Sequence, residues 1–213
     1  KRANCGALVL TVDLQMIGQR HKDIKNGLST PPKITLKNWL EFVYKYPWSR
    51  GILHTHRRSF GNVVGYANNV SDISSLSAWT NEQFDKKLNW QDVAWVRERW
   101  NGPLIIKGIM EIDDAKHAIK YGADAIVISN HGGRQLDGAP SSISVLPEIV
   151  KSISEIDSSF PILIDGGIRS GQDVLKAIAL GAHAVLVGRS YIYGLGASGA
   201  IGVQKILSIL KMN

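Results

Sequence analysis

The sequence is poor in cysteine and contains no long apolar run. Cys5 is the single cysteine among the 213 residues, so no internal disulfide can form, which fits a reducing compartment. No stretch approaches the roughly 18 apolar residues that a membrane-spanning helix requires. His54 and His56 are spaced like a metal-binding pair but have no third ligand at a useful spacing, so we predict no metal site. These absences argue against a disulfide scaffold, a bilayer-spanning protein and a metalloprotein.

A glycine-rich dinucleotide fingerprint is also missing. The first apolar run, Ala7–Asp13, is not followed by the Gly-x-Gly-x-x-Gly pattern of Rossmann folds. Basic residues outnumber acidic ones by 25 to 18, and the net charge of +7 favours anionic ligands or anionic surfaces. With 44% apolar and 20% charged residues, the chain otherwise has the composition of an ordinary globular domain.

Five short apolar runs predict the strands of a parallel sheet that is covered on both faces. The runs are Ala7–Asp13, Pro103–Gly108, Ala123–Asn130, Pro161–Gly167 and Ala182–Arg189. Helical patterns occupy Asn89–Trp100, Asp113–Tyr121, Ile143–Ile156 and Ser170–Leu180. This alternation of strand and helix predicts an α/β fold.

Polar side chains gather at the carboxyl ends of the predicted strands, at Asp13, Lys107, Ser129, His131, Asp165 and Arg189. A closed (β/α)8 barrel and a doubly wound sheet both bind ligands at this edge, and the missing fingerprint favours the barrel. Five strands are fewer than eight. We therefore expect residues 1–213 to form the C-terminal five strands of a TIM barrel, with about three strands outside this sequence.

Residues 14–89 show no strand–helix period, and we predict a long excursion there between the first two strands. Within it, Trp39–Arg50 mixes aromatic with basic side chains. This composition suits contact with an anionic membrane surface, and it suits an oligomer contact or a partly disordered loop equally well.

Two turns carry the signature of a phosphate site. The first holds Asp165, Gly166, Gly167 and Arg169 between a strand and a helix, and the second holds Gly188 and Arg189 after the next strand. Glycines let backbone N–H groups approach an anion, a helix start adds partial positive charge, and arginine pairs with phosphate oxygens. Ordinary βα turns are the alternative, but two consecutive turns that each carry an arginine favour phosphate binding.

The loop after the third predicted strand carries His131 and Arg134. An imidazole accepts a proton at neutral pH, so His131 is the candidate base, and Asp13 can orient it and stabilise its protonated form. Arg134 and Arg20 are cations that suit a substrate carboxylate. Lys107 ends an apolar strand, where it is either a lysine snorkelling at the rim or a fixed cation beside a cofactor that becomes anionic when reduced.

These segments resemble one known family, the FMN-dependent L-2-hydroxy acid oxidases and dehydrogenases. The matching segments follow the family's order and are Thr11–Asp13, Gly18–Arg20, Ile106–Gly108, Ser129–Asp137, Asp165–Arg169 and Gly188–Arg189. The string Ser-Asn-His-Gly-Gly-Arg-Gln-Leu-Asp is highly specific for it. Around Trp90–Trp95 and after Arg20, the chain is most similar to bacterial membrane-associated L-lactate dehydrogenases.

The resemblance implies a role for each site residue. His131 would remove a proton from the substrate while Asp13 supports the imidazolium, and Arg134 and Arg20 would hold the substrate carboxylate. Lys107 would stabilise the reduced flavin ring. The remaining contacts to FMN, from the ring to the phosphate, would come from Thr11, Ser129, Asp165, Gly166, Gly167, Arg169, Gly188 and Arg189.

The implied activity is oxidation of an L-2-hydroxy acid, with L-lactate to pyruvate as the leading case and a quinone or cytochrome as electron acceptor. The alternatives are an oxidase that uses oxygen, a truncated and inactive fragment, and an FMN-dependent isomerase. The isomerase is disfavoured because it should lack the His-Gly-Gly-Arg segment that suits a carboxylate. The resemblance further implies a homo-oligomer without a nucleic-acid partner. It implies a cytoplasmic location, either free or peripheral on the inner face of the plasma membrane.

Overall fold

The computed structural model describes residues 4–15, 18, 21, 25–26, 36–55, 79 and 84–212. Two compact units divide the chain, one made of residues 1–18 with 86–213 and the other of residues 19–85. The first unit carries a five-stranded parallel sheet in the order β1-β2-β3-β4-β5. Its strands are β1 (Leu8–Thr11), β2 (Leu104–Ile109), β3 (Ala125–Ile128), β4 (Ile162–Ile164) and β5 (Ala184–Val185). The predicted α/β fold with five parallel strands is thus confirmed.

The helices of the described residues are, in chain order, α1 (Leu36–Tyr44), α2 (Tyr46–His54), α3 (Trp90–Arg99), α4 (Ile112–Lys120), α5 (Ser142–Ser154), α6 (Gly171–Ala179) and α7 (Arg189–Met212). The first two belong to the second unit, and the other five belong to the first. Helix α7 is interrupted at Ser198 and Gly199, whose backbone angles are not helical. None of the helices within the described ranges is both long enough and apolar enough to cross a bilayer.

The core of the first unit forms where the apolar strands meet their helices. All four side chains of β3 are buried, and β2 buries Leu104 and Ile106 completely. Helix α5 contributes Leu146, Ile149 and Ile153 at helical spacing. Each fully buried Leu or Ile side chain stabilises the fold by roughly 1.5–3 kcal/mol. The unbroken apolar runs therefore occupy the middle of the sheet, where both faces are covered.

The parallel register brings the carboxyl ends of the strands to one edge. Thr11 pairs with Lys107, and Ile128 pairs with Ile164, which in turn pairs with Val185. Four of the predicted runs extend beyond their strands, because the polar and glycine residues that end them lie in loops or, for Arg189, at the start of α7, whereas Gly108 at the end of the second run lies within β2. The candidate functional residues of the first unit lie in those loops, except Thr11 in β1, Lys107 in β2 and Arg189 in α7.

Helices α1 and α2 are a finding of the structure, since the sequence predicts no element for residues 36–54. Both helices leave large apolar side chains exposed, including Trp39 at 57% and Trp48 at 58%. Leu36, Trp39, Leu40, Val43 and Tyr44 nevertheless have the i, i+3, i+4, i+7, i+8 spacing of an amphipathic helix, so the signal for α1 is present in the sequence.

Candidate active site

A cavity of about 360 Å³ opens at the carboxyl ends of the strands. Its volume lies within the range typical of small-molecule sites. Ten predicted site residues line it, namely Thr11, Lys107, His131, Arg134, Asp165, Gly166, Gly167, Arg169, Gly188 and Arg189. Asp13 and Ser129 do not line the cavity but contact His131 and Lys107, which do. Arg20 lies outside the described residues.

His131 and Asp13 meet across 118 positions of sequence. The imidazole Nδ1 lies 3.3 Å from both carboxylate oxygens of Asp13. Because an ionised carboxylate only accepts hydrogen bonds, the contact favours the neutral tautomer that carries its proton on Nδ1 and leaves the lone pair on Nε2. The Asp13 side chain is 14% exposed, against 31% for His131, so the carboxylate is the better shielded of the two. This arrangement lets Nε2 accept a proton while Asp13 stabilises the resulting cation.

The backbone around His131 adopts an uncommon conformation. His131, Gly132 and Gly133 have φ angles of 57°, 67° and 70°, all in the left-handed region. That region costs a non-glycine residue roughly 1–2 kcal/mol, so the surrounding contacts must hold His131 in place. Its N–H donates to Ser129 Oγ at 3.1 Å, and the Gly133 N–H donates to Asn130 Oδ1 at 3.1 Å. The two bonds turn the chain sharply after β3 and direct the imidazole toward Asp13.

Lys107 forms the second charged group of the cavity. Its Nζ donates to Ser129 Oγ at 2.9 Å and lies 3.0 Å from Asp165 Oδ2. The Lys107 and Asp165 side chains are only 15% and 18% exposed, so this ion pair is shielded from water. Asp165 Oδ1 is buried and has no hydrogen-bond partner among the described residues. A buried carboxylate oxygen without a donor is costly, and a ligand hydroxyl in the cavity would satisfy it.

The two predicted phosphate turns lie side by side on the cavity wall. In the first, Asp173 Oδ2 accepts hydrogen bonds from Arg169 N at 3.0 Å and from Ser170 N at 2.9 Å. The hydrogen bond from the Arg169 amide, followed by one from the Ser170 hydroxyl at 2.9 Å, holds the pKa of the Asp173 carboxyl below its usual value of 3.8. The amides of Arg169 and Ser170, just before α6, are therefore occupied by Asp173 and not free for an anion. The side chains of Arg169 and Arg189 are therefore the main cations for a bound phosphate at this end.

Arg189 also reaches the loop that carries the candidate base. Its Nη2 donates to the Gly132 carbonyl oxygen at 3.1 Å. A side chain at Gly132 would place its Cβ 2.9 Å from that same nitrogen, so Arg189 would have to shift, and the positive φ of 67° favours glycine there. The phosphate end and the His131 loop are thus in direct contact.

Asp173 and Gln135 contribute to this site but are not among the candidate residues that the sequence predicts. The capping role of Asp173 could have been predicted from the sequence, because Ser170 and Asp173 have the spacing of a capping box. Both hydrogen bonds of that capping box are present in the structure. The contact of Gln135 could not have been predicted, since its Nε2 donates to the main-chain oxygen of Asp13, which is 122 positions away in the sequence. No sequence pattern reports which backbone carbonyl a side chain will reach.

The residues of the cavity fit FMN, the cofactor that the resemblance implies. Arg169 and Arg189 suit its phosphate, and the unpartnered Asp165 Oδ1 suits a hydroxyl of its ribityl chain. Lys107 supplies a shielded positive charge near the middle of the same cavity. Groups of three or more His, Cys, Asp or Glu side chains that could hold a metal ion are absent from the described part of the chain.

Comparisons with known proteins agree with this picture. The family model described as FMN-dependent dehydrogenase matches residues 1–213. An L-lactate dehydrogenase of Acinetobacter baumannii is 40% identical over 211 residues, which are 99% of this chain and 54% of that protein. The chain therefore spans about half the length of the curated relatives it matches.

Solved structures give the same result. The crystal structure of the monotopic membrane protein (S)-mandelate dehydrogenase superimposes with a TM-score of 0.90 at 37% identity, covering 99% of this chain and 54% of the other. A mandelate oxidase superimposes with a TM-score of 0.71 at 37% identity, covering 98% and 50% of the two chains.

Proposed function

Because the chain belongs to the family of FMN-dependent dehydrogenases, whose cofactor is FMN, we propose that it oxidises an L-2-hydroxy acid to the 2-keto acid. L-lactate, with pyruvate as product, is the substrate that we put first, since L-lactate dehydrogenases are 40% identical to this chain. The proposal for the activity is carried by one observation, the contact of His131 Nδ1 with both oxygens of Asp13 at the cavity wall.

Each site residue has a distinct role in the proposed reaction. Arg134, which lines the cavity, binds the substrate carboxylate, and Arg20 is proposed to assist it. This contact places the substrate beside His131, whose Nε2 takes a proton from it while Asp13 stabilises the imidazolium. FMN, when bound, supplies the acceptor for the two electrons that leave the substrate. Lys107 holds a positive charge where the negative charge of reduction develops.

Mandelate is a second candidate substrate. The structure with a TM-score of 0.90 is an (S)-mandelate dehydrogenase, so a phenyl-bearing hydroxy acid competes with L-lactate for this role. A quinone or cytochrome is the proposed electron acceptor, and oxygen is the alternative, as a mandelate oxidase is also among the structural relatives.

Reduction of bound flavin is the direct test of the activity. The purified chain is loaded with FMN and mixed without oxygen with L-lactate or (S)-mandelate, and the loss of flavin absorbance is followed. If L-lactate bleaches the flavin with the higher kcat/KM, L-lactate is supported as the substrate. If (S)-mandelate bleaches it with the higher kcat/KM, mandelate is the substrate instead. Bleaching by neither acid, with FMN bound, would refute the proposed activity. Reoxidation by a soluble quinone or by air then identifies the class of acceptor.

Peripheral contact with a membrane is proposed for the second unit. Helices α1 and α2 expose the large apolar side chains Leu36, Trp39, Leu40, Val43, Tyr44, Tyr46, Trp48 and Leu53. Lys45 and Arg50 are exposed beside them. Exposed aromatic and aliphatic groups next to cations suit the headgroup region of an anionic bilayer. The (S)-mandelate dehydrogenase structure is described as that of a monotopic membrane protein. The competing proposal for the same surface is a contact in a homo-oligomer.

A further inference from the structure

We propose that Gln135 is a positioning residue for the pair formed by Asp13 and His131. The inference rests on the proposed function, because a base at His131 gives that pair its purpose. Gln135 follows His131 by four residues on the same loop, and its Nε2 donates to the main-chain oxygen of Asp13 at 3.3 Å. The side chain therefore ties the loop of the base to the backbone of the carboxylate that orients it.

The pair is sensitive to small displacements. Both oxygens of Asp13 lie 3.3 Å from His131 Nδ1, slightly beyond the usual range of about 2.7–3.2 Å for an N–H···O bond. A shift of a few tenths of an ångström toward Nδ1 would strengthen the bond, and the same shift away would break it. Catalytic groups need to be held within roughly 0.5 Å of their working geometry, so the Asp13 backbone must be restrained.

On one side, β2 restrains Asp13. The Val12 N–H donates to the Lys107 carbonyl oxygen at 2.8 Å. Gly108, with a φ of +112°, lies so close that a side chain there would place its Cβ 2.8 Å from Asp13 Cβ and 2.9 Å from Asp13 N. Asp13 cannot retreat in that direction.

On the other side, the loop after β3 restrains the backbone around Asp13. A side chain at Gly18 would overlap the Arg134 carbonyl oxygen, so the chain after Asp13 packs directly on the Arg134–Gln135 peptide. Gln135 is half-buried, whereas its neighbour Leu136 is 69% exposed. Gln135 therefore points back toward Asp13 and supplies the directional contact across this interface, which the glycine packing alone does not provide.

The proton on Nδ1 of His131 gives a readout that does not depend on flavin or turnover. Asp13 selects the neutral tautomer with the proton on Nδ1, because its carboxylate can only accept. Proteins labelled with ¹⁵N at histidine are compared by NMR at pH 8, above the ordinary titration range of imidazole. The signal of His131 is assigned by its loss in His131→Gln. We expect Gln135→Met, which keeps the size of the side chain but removes the donor, to lower the ratio of the Nδ1–H to the Nε2–H tautomer roughly three- to tenfold.

Three comparisons decide between positioning and general packing. Leu136→Ala, on the same loop, is expected to leave the tautomer ratio unchanged. In an Asp13→Ala background, Gln135→Met is expected to have no further effect, because it acts through Asp13. An unchanged ratio in Gln135→Met, or an equal change with and without Asp13, would overturn the proposal. If Gln135→Met does not fold, Gln135→Glu serves instead, since it presents only acceptors to Asp13 at pH 8. If neither L-lactate nor (S)-mandelate bleaches the bound flavin, the proposed activity is refuted, whereas the tautomer result for Gln135 is unaffected because it is measured without flavin or substrate.

Discussion

At the residue scale, the candidate chemistry depends on a histidine held in a backbone conformation that is costly for an L-amino acid. His131 has a φ of 57°, and Ser129 Oγ receives its N–H. The same hydroxyl accepts a hydrogen bond from Lys107, so both acceptor sites of one serine are occupied. The base and the fixed cation of the cavity are thus positioned by a common buried group, and a change at Ser129 would disturb both.

Replacing the base tests its role most directly. His131→Gln should still bind FMN but reduce it with L-lactate at least about 100-fold more slowly, since general base catalysis typically contributes 10²–10⁴-fold. Single-turnover reduction measured without oxygen provides the rate. His54→Gln, at an exposed position of the second unit, serves as the control and should reduce flavin normally. A normal rate in His131→Gln would contradict the assignment of the base.

At the element scale, the start of α6 combines a helix cap with a ligand turn. Asp173 occupies the two amides of Arg169 and Ser170, and Ser170 Oγ accepts the N–H of Asp173 in return. The reciprocal bonds fix the first turn of the helix and with it the backbone from which Arg169 extends. The cap therefore orders the phosphate turn without itself touching a phosphate.

Removing the cap should affect stability in a defined range of pH. The pKa of Asp173 is lowered in the folded chain, so its stabilising effect is fully present above the unfolded value near 3.9 and is lost as the pH falls through the folded value. Asp173→Ala should therefore lower the free energy of unfolding at pH 7, and its difference from the unmodified chain should shrink below about pH 4. Urea denaturation at pH 7 and pH 3 measures this difference.

The same variant should weaken FMN binding, because the phosphate turn loses its order. Asp157→Ala is a matched control, since hydrogen bonds from Ser159 lower the pKa of Asp157 as well, but Asp157 does not line the cavity. Fluorescence titration with FMN should show a higher Kd for Asp173→Ala and an unchanged Kd for Asp157→Ala. Equal effects of the two substitutions would show that the cap does not act through the phosphate turn.

Helices α1 and α2 should bind anionic vesicles through both apolar and basic groups. Replacing Lys45 and Arg50 by glutamine should reduce co-sedimentation with vesicles that contain phosphatidylserine, and replacing Trp39 and Trp48 by serine should reduce it further. The cations contribute about 1 kcal/mol each near such a surface, so the first loss should diminish as salt is raised. If neither pair of substitutions reduces vesicle binding, the exposed surface is better explained as a homo-oligomer contact, and sedimentation velocity would then show the oligomer.

At the scale of the whole molecule, the cavity is lined by residues at or just after the carboxyl ends of all five strands, at one edge of the sheet. A ligand that bridges Lys107, Asp165 and Arg189 links β2, β4 and the start of α7. Such a ligand binds the folded chain and not the unfolded one, so it should stabilise the sheet as a unit.

FMN should therefore raise the melting temperature of the chain. At a free concentration of 100 times its Kd, the expected stabilisation is about 2.7 kcal/mol. Riboflavin, which lacks the phosphate, should give a smaller shift at the same concentration, because Arg169 and Arg189 then have no anion to bind. Differential scanning fluorimetry compares the two ligands, and equal shifts would contradict the assignment of the phosphate turns.

Much of the fold could be predicted, because the pattern of apolar residues within a short segment indicates which of its side chains will be buried. The unbroken apolar runs at Ala125–Ile128 and Ile162–Ile164 favour strands that are covered on both faces, and the apolar residues of α5 recur at helical spacing. The spacing of Leu36, Trp39, Leu40, Val43 and Tyr44 is that of an amphipathic helix, so α1 could also have been predicted from the sequence. Only the structure shows that this apolar face stays exposed.

The sequence by itself determined the order of the strands along the chain, the ligand-bearing ends and the identity of the candidate base, because motif spacing and apolar periodicity are properties of neighbouring residues. Only the tertiary structure decided which of these groups meet. The contacts of His131 with Asp13, of Lys107 with Asp165 and of Gln135 with the Asp13 backbone join residues 58 to 122 positions apart. Their distances depend on the register of the parallel sheet and on close approach at glycines, and these are set by packing of the whole sheet rather than by any local pattern.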